Sequence, residues 1–420
     1  MGPILIFDKS SLQSLNIDEA GLLDHFYLSN ITPVFFIETL ADLEKEVKAG
    51  RTPEEVVGNL ALKTPDMHSK PNIHHRTLLE GELSGEATID MKYGRPHIGG
   101  GKPVELAGKI GVMFQQAPEE EALSRWQNHE FLELERQRAK KWRDGLSNIN
   151  FEGQYEFFQS FFPMGKPKTL TDVKRFVDFY IDGPDQERVL IFGLTFIGVS
   201  EKFLIEIGTR WKNSGKLPIK EFAPYFTYVF SVDLFFNLAI ASDIISRGRP
   251  SHKIDLSYLY YLPFCMVFTS NDKLHANIVP LFLRENQSFV LGKDLKEDLI
   301  KLDKHYSALP DEVKNQGLIR FAPYPPLDNE FLITRLWDKH MSKEWRENAK
   351  NHTPPSGKVK DNLLEEIKRL EKEAKPIPLG TKYNSDEVNN MILSRKVLSK
   401  KGKWPRFPPE VLESLKKEDQ

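Results

Sequence analysis

Two short apolar runs near the start of the chain are each followed by a helical pattern. Residues 4–7 are all apolar and are followed by Asp8, which is typical of a buried strand that ends in a turn. A second apolar run covers residues 31–37 and leads into Glu38, after which apolar residues recur at helical spacing to Val47. Strand and helix that alternate within about fifty residues predict a parallel α/β unit.

The pattern changes in the middle of the chain. Residues 64 to about 118 are rich in Pro, Gly and His, which predicts an irregular insertion or a pair of hairpins. From 150 to 249, Phe, Ile and Leu recur at helical spacing, which predicts a helical bundle. Its last helix carries Asp233 and Asp243, which are either secondary site candidates or the partners of a buried Arg or Lys.

The α/β pattern returns after the bundle. Asp255 sits where a helix is predicted to begin, and the apolar run 265–269 predicts a strand that ends at Ser270, Asn271 and Asp272. The last part of the chain is rich in Lys, Glu and Pro, which predicts a solvated, loosely packed extension. The chain is thus divided into a first α/β half (1–63), an insertion (64–228), a second α/β half (229–335) and a charged extension (336–420).

The composition bounds the class of protein. The chain has 420 residues with 58 basic and 60 acidic side chains, and its formal net charge of −2 excludes a histone-like polycation. Cys265 is the single cysteine, which excludes an internal disulfide and favours a reducing compartment. The apolar start is interrupted by Asp8 and Lys9, and no run of eighteen apolar residues occurs. We therefore expect a cytoplasmic protein without a membrane span.

Common nucleotide and zinc signatures are incomplete in this chain. Gly101 and Lys102 are followed by Pro103, where a phosphate-binding loop has Ser or Thr. The stretch from His129 ends in Glu133, where a zinc-protease helix has its second His. Carboxylates are therefore the better candidates for chemistry.

Acidic residues recur where predicted strands end and helices begin. Asp8 follows the first strand, Glu38 opens the helix after the second, and Asp42 lies one turn further on the same helix face. Asp255 and Asp272 occupy similar places in the second half. Because the carboxyl ends of parallel strands meet at one edge, these acids are expected to converge, and such hard oxygen ligands suit Mg²⁺ or Mn²⁺. The alternative for each position is an ordinary turn or N-cap residue.

These positions resemble the PIN-like nuclease domain. In that family a first strand ends in Asp, matched by Asp8, and an acid lies on the helix after the second strand, matched by Glu38. Two further acids occur late in the chains of this family. The first is an Asp near the start of a helix. The second is an Asp that follows a strand ending in Ser or Thr, with one residue between them. Asp255 and the run from Ser270 to Asp272 match this, with 272 − 255 = 17 residues between the two acids.

The resemblance covers residues 3–60 and 230–285, about a third of the chain. It implies a bacterial-type member with a three-layer α/β/α domain around a central parallel sheet, split by a large, mainly helical insertion. Family members are usually compact, so the insertion 64–228 is a departure, and it is expected to supply substrate or partner contacts.

The resemblance also implies an activity, that of a Mg²⁺- or Mn²⁺-dependent endonuclease acting on RNA more often than on DNA. The implied catalytic metal ligands are Asp8, Glu38, Asp255 and Asp272. Asp42 is implied to lie outside the metal ligands and to contact them. Ser270 or Asn271 would orient a metal-bound water or a ligating carboxylate by hydrogen bonding. The side chains nearest to a bound phosphate are expected to be Lys9, Lys273 and His275.

Two basic runs are candidate nucleic-acid contacts. They cover residues 136–143 and 395–406, and Trp142 and Trp404 within them are expected to stack on bases. The alternative is that both runs are solvated surface.

Two further interpretations remain open. One is a nuclease specific for DNA or tRNA, of a toxin or defence type, and the other is a catalytically inert PIN-like scaffold. Such a scaffold would bind a protein partner, or a second copy of the chain, through the helical insertion.

Overall fold

The structure is a computed structural model. It describes residues 2–48, 50–92, 102–106, 109–113, 118–147, 155–158, 166–247, 249, 251–352 and 397–409. The strands are β1 (Ile4–Phe7), β2 (Leu28–Ile31), β3 (Ser69–Pro71), β4 (Lys102–Leu106), β5 (Lys109–Met113), β6 (Val267–Ser270), β7 (Ser288–Leu291), β8 (Lys400–Lys401) and β9 (Trp404–Pro405).

The helices alternate with the strands in both parts of the α/β unit. Those of the first part are α1 (Lys9–Ser14), α2 (Ile17–Phe26), α3 (Pro33–Lys48), α4 (Pro53–Lys63) and α5 (His75–Ser84). The middle of the chain forms α6 (Pro118–Gln127), α7 (Glu133–Ser147), α8 (Leu170–Ile181), α9 (Gln186–Phe196), α10 (Glu201–Asn213), α11 (Ile219–Phe222) and α12 (Pro224–Ala241). The remainder are α13 (His252–Ser257), a 3₁₀ helix (Tyr258–Phe264), α14 (Lys273–Ile278), a short 3₁₀ turn (Val279–Leu281), α15 (Gly292–Ser307), α16 (Asp311–Lys314), α17 (Leu318–Phe321), α18 (Leu332–His340) and α19 (Trp345–Lys350).

A five-stranded sheet in the order β3-β2-β1-β6-β7 forms the centre of the molecule, and every neighbouring pair in it is parallel. Leu5 pairs with Val267 and Phe7 with Thr269, so the two ends of the predicted split unit meet directly. All residues of β1 and β6 are buried, as in central strands that helices cover on both faces. The predicted α/β class with a central parallel sheet is therefore confirmed.

The edge strand β3 lies inside the segment that was predicted to be an insertion. Ser69 pairs with Ser29 of β2, so the first half of the α/β unit extends beyond residue 63. A three-residue strand that contains a proline carries almost no periodic signal, which explains why the pattern did not predict it.

The rest of the middle part is helical, as predicted. One antiparallel hairpin, β4–β5, lies in the Pro- and Gly-rich region, and α8 to α12 form the bundle. Of the described residues, one helix, Pro224–Ala241, is long and apolar enough to span a membrane, but 78% of it is buried inside the protein. This burial is typical of a core helix in a soluble protein.

The segment 397–409 is packed into the α/β unit, so the prediction of a loosely packed tail is wrong for these residues. Lys401, Trp404 and Arg406 are each about 1% exposed. The Trp404 ring contacts Tyr306, and its indole N–H donates to Asp303 at 3.1 Å. The expectation that Trp404 stacks on a base is therefore also wrong.

A buried cluster of four charges fixes this segment. The Arg406 guanidinium donates to Asp24 and to Asp66, the latter at 2.5 Å, and Lys401 Nζ lies 3.2 Å from Asp66. Asp24 also accepts backbone N–H groups of residues 66–68. Two buried acids are thus matched by two buried bases, which is the condition under which buried charge is tolerated.

We predict that Arg406→Ala lowers the free energy of unfolding by about 3–5 kcal/mol, because it leaves a buried carboxylate pair with one base. The matched control is Lys400→Ala, which removes an exposed base of the same segment, next to Lys401 on β8, and is expected to stay within about 0.5 kcal/mol of the native protein. Urea unfolding followed by circular dichroism measures both. Equal losses in the two variants would contradict the role given to the cluster.

Candidate functional site

The sheet has a topological switch point between β1 and β6. From β1 the chain adds β2 and β3 on one side, and β6 and β7 lie on the other. In parallel α/β sheets the crevice at such a point, outside the carboxyl ends of the strands, is where ligands bind. Asp8 follows β1 at this edge, and its backbone N–H donates to Thr269 O of β6 at 3.2 Å.

Asp8 is buried and its carboxylate is fully hydrogen-bonded. As the N-cap of α1 it accepts the Ser11 backbone N–H on Oδ1 at 2.8 Å. Its Oδ2 accepts the hydroxyls of Ser10 at 2.8 Å and of Ser270 at 2.6 Å. The residue that ends β6 therefore holds the acid that ends β1.

His275 completes this arrangement from α14. Its Nδ1 lies 2.7 Å from Ser270 Oγ and 3.8 Å from Asp8 Oδ2, and its Nε2 lies 2.7 Å from the backbone oxygen of Asp255. Burial lowers the pKa of His275, but the hydrogen bond and charge of Asp8 outweigh burial and raise the pKa. Burial raises the pKa of Asp8, and His275 and Ser270 outweigh that effect and lower it. The two groups stabilise each other's charged forms through Ser270.

Glu38 lies near Asp8 on α3 and is held by a tyrosine. Tyr258 Oη donates to Glu38 Oε2 at 2.6 Å and accepts the Lys9 backbone N–H at 3.3 Å. Burial raises the pKa of Glu38 to about 7, although the Tyr258 hydrogen bond and the Lys9 charge lower it. The charges of Asp8 and Asp255 contribute to the increase, so both acids lie within electrostatic reach of Glu38.

The Lys9 side chain is turned inward. Its ammonium donates to Asp42 Oδ2 at 2.7 Å, and the residue is only 4% exposed. Asp42 was predicted as an outer-shell residue and lies one helical turn after Glu38. Its ion pair with Lys9 therefore places the Lys9 ammonium near Glu38.

Asp255 and Asp272 are placed differently from each other. Asp255 lies on α13, where its carboxylate is 3.6 Å from His252 Nδ1. Asp272 is the N-cap of α14 and accepts the Leu274 backbone N–H at 2.5 Å, while its own N–H donates to Ser270 Oγ at 2.9 Å. The N-cap alternative considered for Asp272 is therefore its observed local role.

Two exposed residues mark the mouth of the site. Asn271 and Lys273 flank Asp272 and are open to solvent. Gly292, at the start of α15, packs against Asn271 so closely that a Cβ there would lie 2.7 Å from Asn271 Nδ2. A glycine is favoured at position 292 because its backbone is in contact with the Asn271 side chain, which a Cβ would push away.

The sequence-predicted residues are thus only partly brought together. Asp8, Glu38 and Asp255 share one electrostatic environment, whereas Asp272 caps a helix beside them. Across the part of the chain that the structure describes, no three His, Cys, Asp or Glu side chains are grouped closely enough to hold a metal ion as they stand.

Two of the predicted phosphate-contacting residues are enclosed. His275 is 1% exposed with both ring nitrogens hydrogen-bonded, and Lys9 is paired with Asp42. The expectation that these two side chains meet a phosphate directly is corrected, since both stabilise carboxylates instead. Lys273 is exposed and stays a prediction.

Sequence reasoning missed Tyr258. It is fully buried and links Glu38 to the backbone that follows Asp8. A signal was present, since Tyr258 lies three residues after Asp255, about one helical turn, in a segment predicted to be helical.

A comparison of the chain with protein-family models, with curated proteins and with solved structures found no match. The geometry of this edge is therefore the basis for any functional assignment.

We predict that Ser270→Ala lowers the free energy of unfolding by about 1–3 kcal/mol, because it leaves Asp8 and His275 buried without their shared hydroxyl. Ser10→Ala is the matched control. It removes a hydroxyl bonded to the same Asp8 oxygen, but at an exposed position, and should cost less than about 0.5 kcal/mol. Chemical unfolding of both variants checks the difference, and a larger loss for Ser10→Ala would contradict the enclosed Asp8–Ser270–His275 arrangement.

Proposed function

We propose that the protein is a divalent-metal-dependent nuclease of the PIN-like type, with RNA as its substrate, acting in the cytoplasm. The observation that carries the proposal is that Asp8 lies at the switch point of a parallel sheet and that Tyr258 joins Glu38 to the backbone next to Asp8. The charges of Asp8 and Asp255 both raise the pKa of Glu38. Acids gathered in this way repel one another, and a cation relieves that repulsion.

The donor set suits Mg²⁺ or Mn²⁺ chemically, because it consists of carboxylate oxygens. Asp8, Glu38 and Asp255 would hold the ion, and Asp272 is assigned to capping α14. A bound ion of this kind supplies a nucleophilic water and charge stabilisation for phosphodiester hydrolysis. Metal binding requires side-chain rotation from the present arrangement, since Asp8 and Glu38 are now satisfied by hydroxyl groups.

The residues around the acids have supporting roles in this proposal. Lys9 forms an ion pair with Asp42, and the charge and hydrogen bond of His275 lower the pKa of Asp8. The exposed Asn271 and Lys273 lie at the mouth, where a phosphate backbone would pass.

The helix α7 supports nucleic acid as the substrate. Its exposed basic residues belong to the run 136–143, and the helix packs against α3, which carries Glu38. Exposed cations on a helix that packs against α3 fit contact with a phosphate backbone. The Trp142 side chain lies outside the described residues.

An inert scaffold is the second candidate, and one observation favours it. Both oxygens of Asp8 are already occupied by hydrogen bonds within the protein. An acid satisfied in this way can serve folding alone. The two experiments below separate the candidates.

Metal binding is tested by thermal unfolding with and without Mn²⁺. We expect Mn²⁺ to raise the melting temperature of the native protein, because a ligand at a hundredfold excess over its Kd adds about 2.7 kcal/mol of stability. The rise should vanish in Asp8→Asn and Glu38→Gln. The control Asp185→Asn changes an exposed N-cap acid in the helical bundle and should keep the full rise. Identical melting of the native protein with and without Mn²⁺ supports the scaffold instead.

Cleavage is tested with fluorescent single-stranded RNA and DNA of the same sequence. We expect Mn²⁺-dependent cleavage of RNA that falls about hundredfold or more in Asp8→Asn and Glu38→Gln. Asp272→Asn should retain most of the activity, because Asn caps a helix as well as Asp does. Undiminished cleavage by Asp8→Asn would place the activity elsewhere, and preferred cleavage of DNA would overturn the assignment of RNA.

A further inference from the structure

The edge of the sheet at Asp8, Glu38 and Asp255 is called the acidic edge below. A large cavity lined by other residues lies elsewhere in the protein. It has a volume of about 1050 Å³ and is enclosed by α5, α10, α12 and residues of the 252–260 segment. Its walls are mixed, with an aromatic and aliphatic part that includes Phe196, Val199 and Phe236 and with polar and charged residues elsewhere. Cavities of this size and character commonly hold small organic molecules.

One end of the cavity is polar. Asp233 interrupts the apolar helix α12, and its Oδ1 accepts Lys253 Nζ at 2.5 Å and also the hydroxyl of Tyr260. This confirms the prediction that Asp233 is the partner of a base. Its second oxygen, Oδ2, makes no hydrogen bond within the described residues, and Asp233 lines the cavity.

Two further polar atoms at this end also lack partners in the described part of the chain. The Asn237 Nδ2 group donates to the Asp233 backbone oxygen at 2.8 Å, which leaves the amide oxygen without a hydrogen bond. His75 Nδ1 is buried and has no hydrogen bond, while its ring packs 4.7 Å from that of Tyr260. Burial lowers the pKa of His75 well below its usual value, so the ring is neutral.

Of the three, the buried His75 Nδ1 is the kind of unsatisfied atom that is rare in a folded protein, whereas Asp233 Oδ2 and the Asn237 amide oxygen are accessible from the cavity and open to a ligand's donor. Two of the three, Asp233 Oδ2 and the Asn237 amide oxygen, can only accept hydrogen bonds. At this end the charge of Asp233 is matched by Lys253, so a charged ligand group bonded to Asp233 would add an unmatched charge there.

We propose that this cavity binds a neutral small molecule with a largely aromatic or aliphatic body and an N–H donor group at one end. The body packs against the apolar walls. The donor group bonds to Asn237 and Asp233. The site uses none of the acids of the sheet edge and is independent of the proposed nuclease activity.

Three probes of one shape test the donor requirement: naphthaleneacetamide, its methyl ester analogue methyl naphthaleneacetate, and naphthaleneacetate. Calorimetric titration of the full chain is expected to give a Kd of about 1 mM or below for the amide. The ester, which lacks N–H groups, should bind at least about tenfold more weakly. The carboxylate should bind more weakly than the ester.

Two variants locate the binding. Asn237→Leu should remove the preference for the amide over the ester, and Val199→Trp should place a bulky ring in the apolar part of the cavity and weaken binding of both. Ile205→Trp is the matched control, since Ile205 is exposed on α10 and does not line the cavity, and it should bind like the native protein. Absent amide binding, equal binding of amide and ester, or unchanged binding by a folded Val199→Trp protein would each overturn the proposal. If Val199→Trp fails to fold, the loss or retention of the amide preference in Asn237→Leu decides the proposal.

Discussion

The buried hydrogen-bonded triad of Asp8, Ser270 and His275 is the interaction on which the candidate site depends. It joins the carboxyl ends of β1 and β6, where Asp8 and Ser270 are 262 positions apart in the chain, and it fixes α14 against α13 through the Asp255 backbone oxygen. A buried carboxylate is costly unless it is paired and hydrogen-bonded. The four hydrogen-bonding and charged neighbours of Asp8 meet that requirement, and they also keep its charge at the switch point of the sheet.

The segment 252–264 serves two sites at once. Asp255 and Tyr258 face the acidic edge, whereas Lys253 and Tyr260 face the large cavity. In the 3₁₀ helix that continues α13, residues three apart share a face, so Asp255 and Tyr258 lie on one face and Ser257 and Tyr260 on another. One stretch can therefore support both sites. The packing of this segment therefore controls the position of groups in both places.

Local pattern predicted the central strands β1 and β6 and the helical middle of the chain. The prediction of the second strand was wrong in position, because the apolar run 31–37 predicts a strand, whereas β2 is Leu28–Ile31 and α3 begins at Pro33. Glu38 therefore lies in the second turn of α3 and does not open it. A proline at the first helical position and a buried apolar helix start look like a strand in the sequence. Other features depend on contacts that leave no local pattern. Arg406 pairs with Asp24 across 382 positions, and His275 encloses Asp8 only because β6 lies beside β1. A buried Lys and an exposed Lys look alike in the sequence. The burial of Lys401 and Lys9 could therefore be seen only in the folded structure.

The central claim is that the acids at the switch point hold a divalent cation. A crystal soaked in Mn²⁺ and measured for anomalous scattering tests it most directly. The account predicts an anomalous peak about 2.1 Å from carboxylate oxygens of Asp8 and Glu38, with the Tyr258 hydroxyl released from Glu38. No peak at this edge, with Asp8 still bonded to Ser10, Ser11 and Ser270, would contradict it.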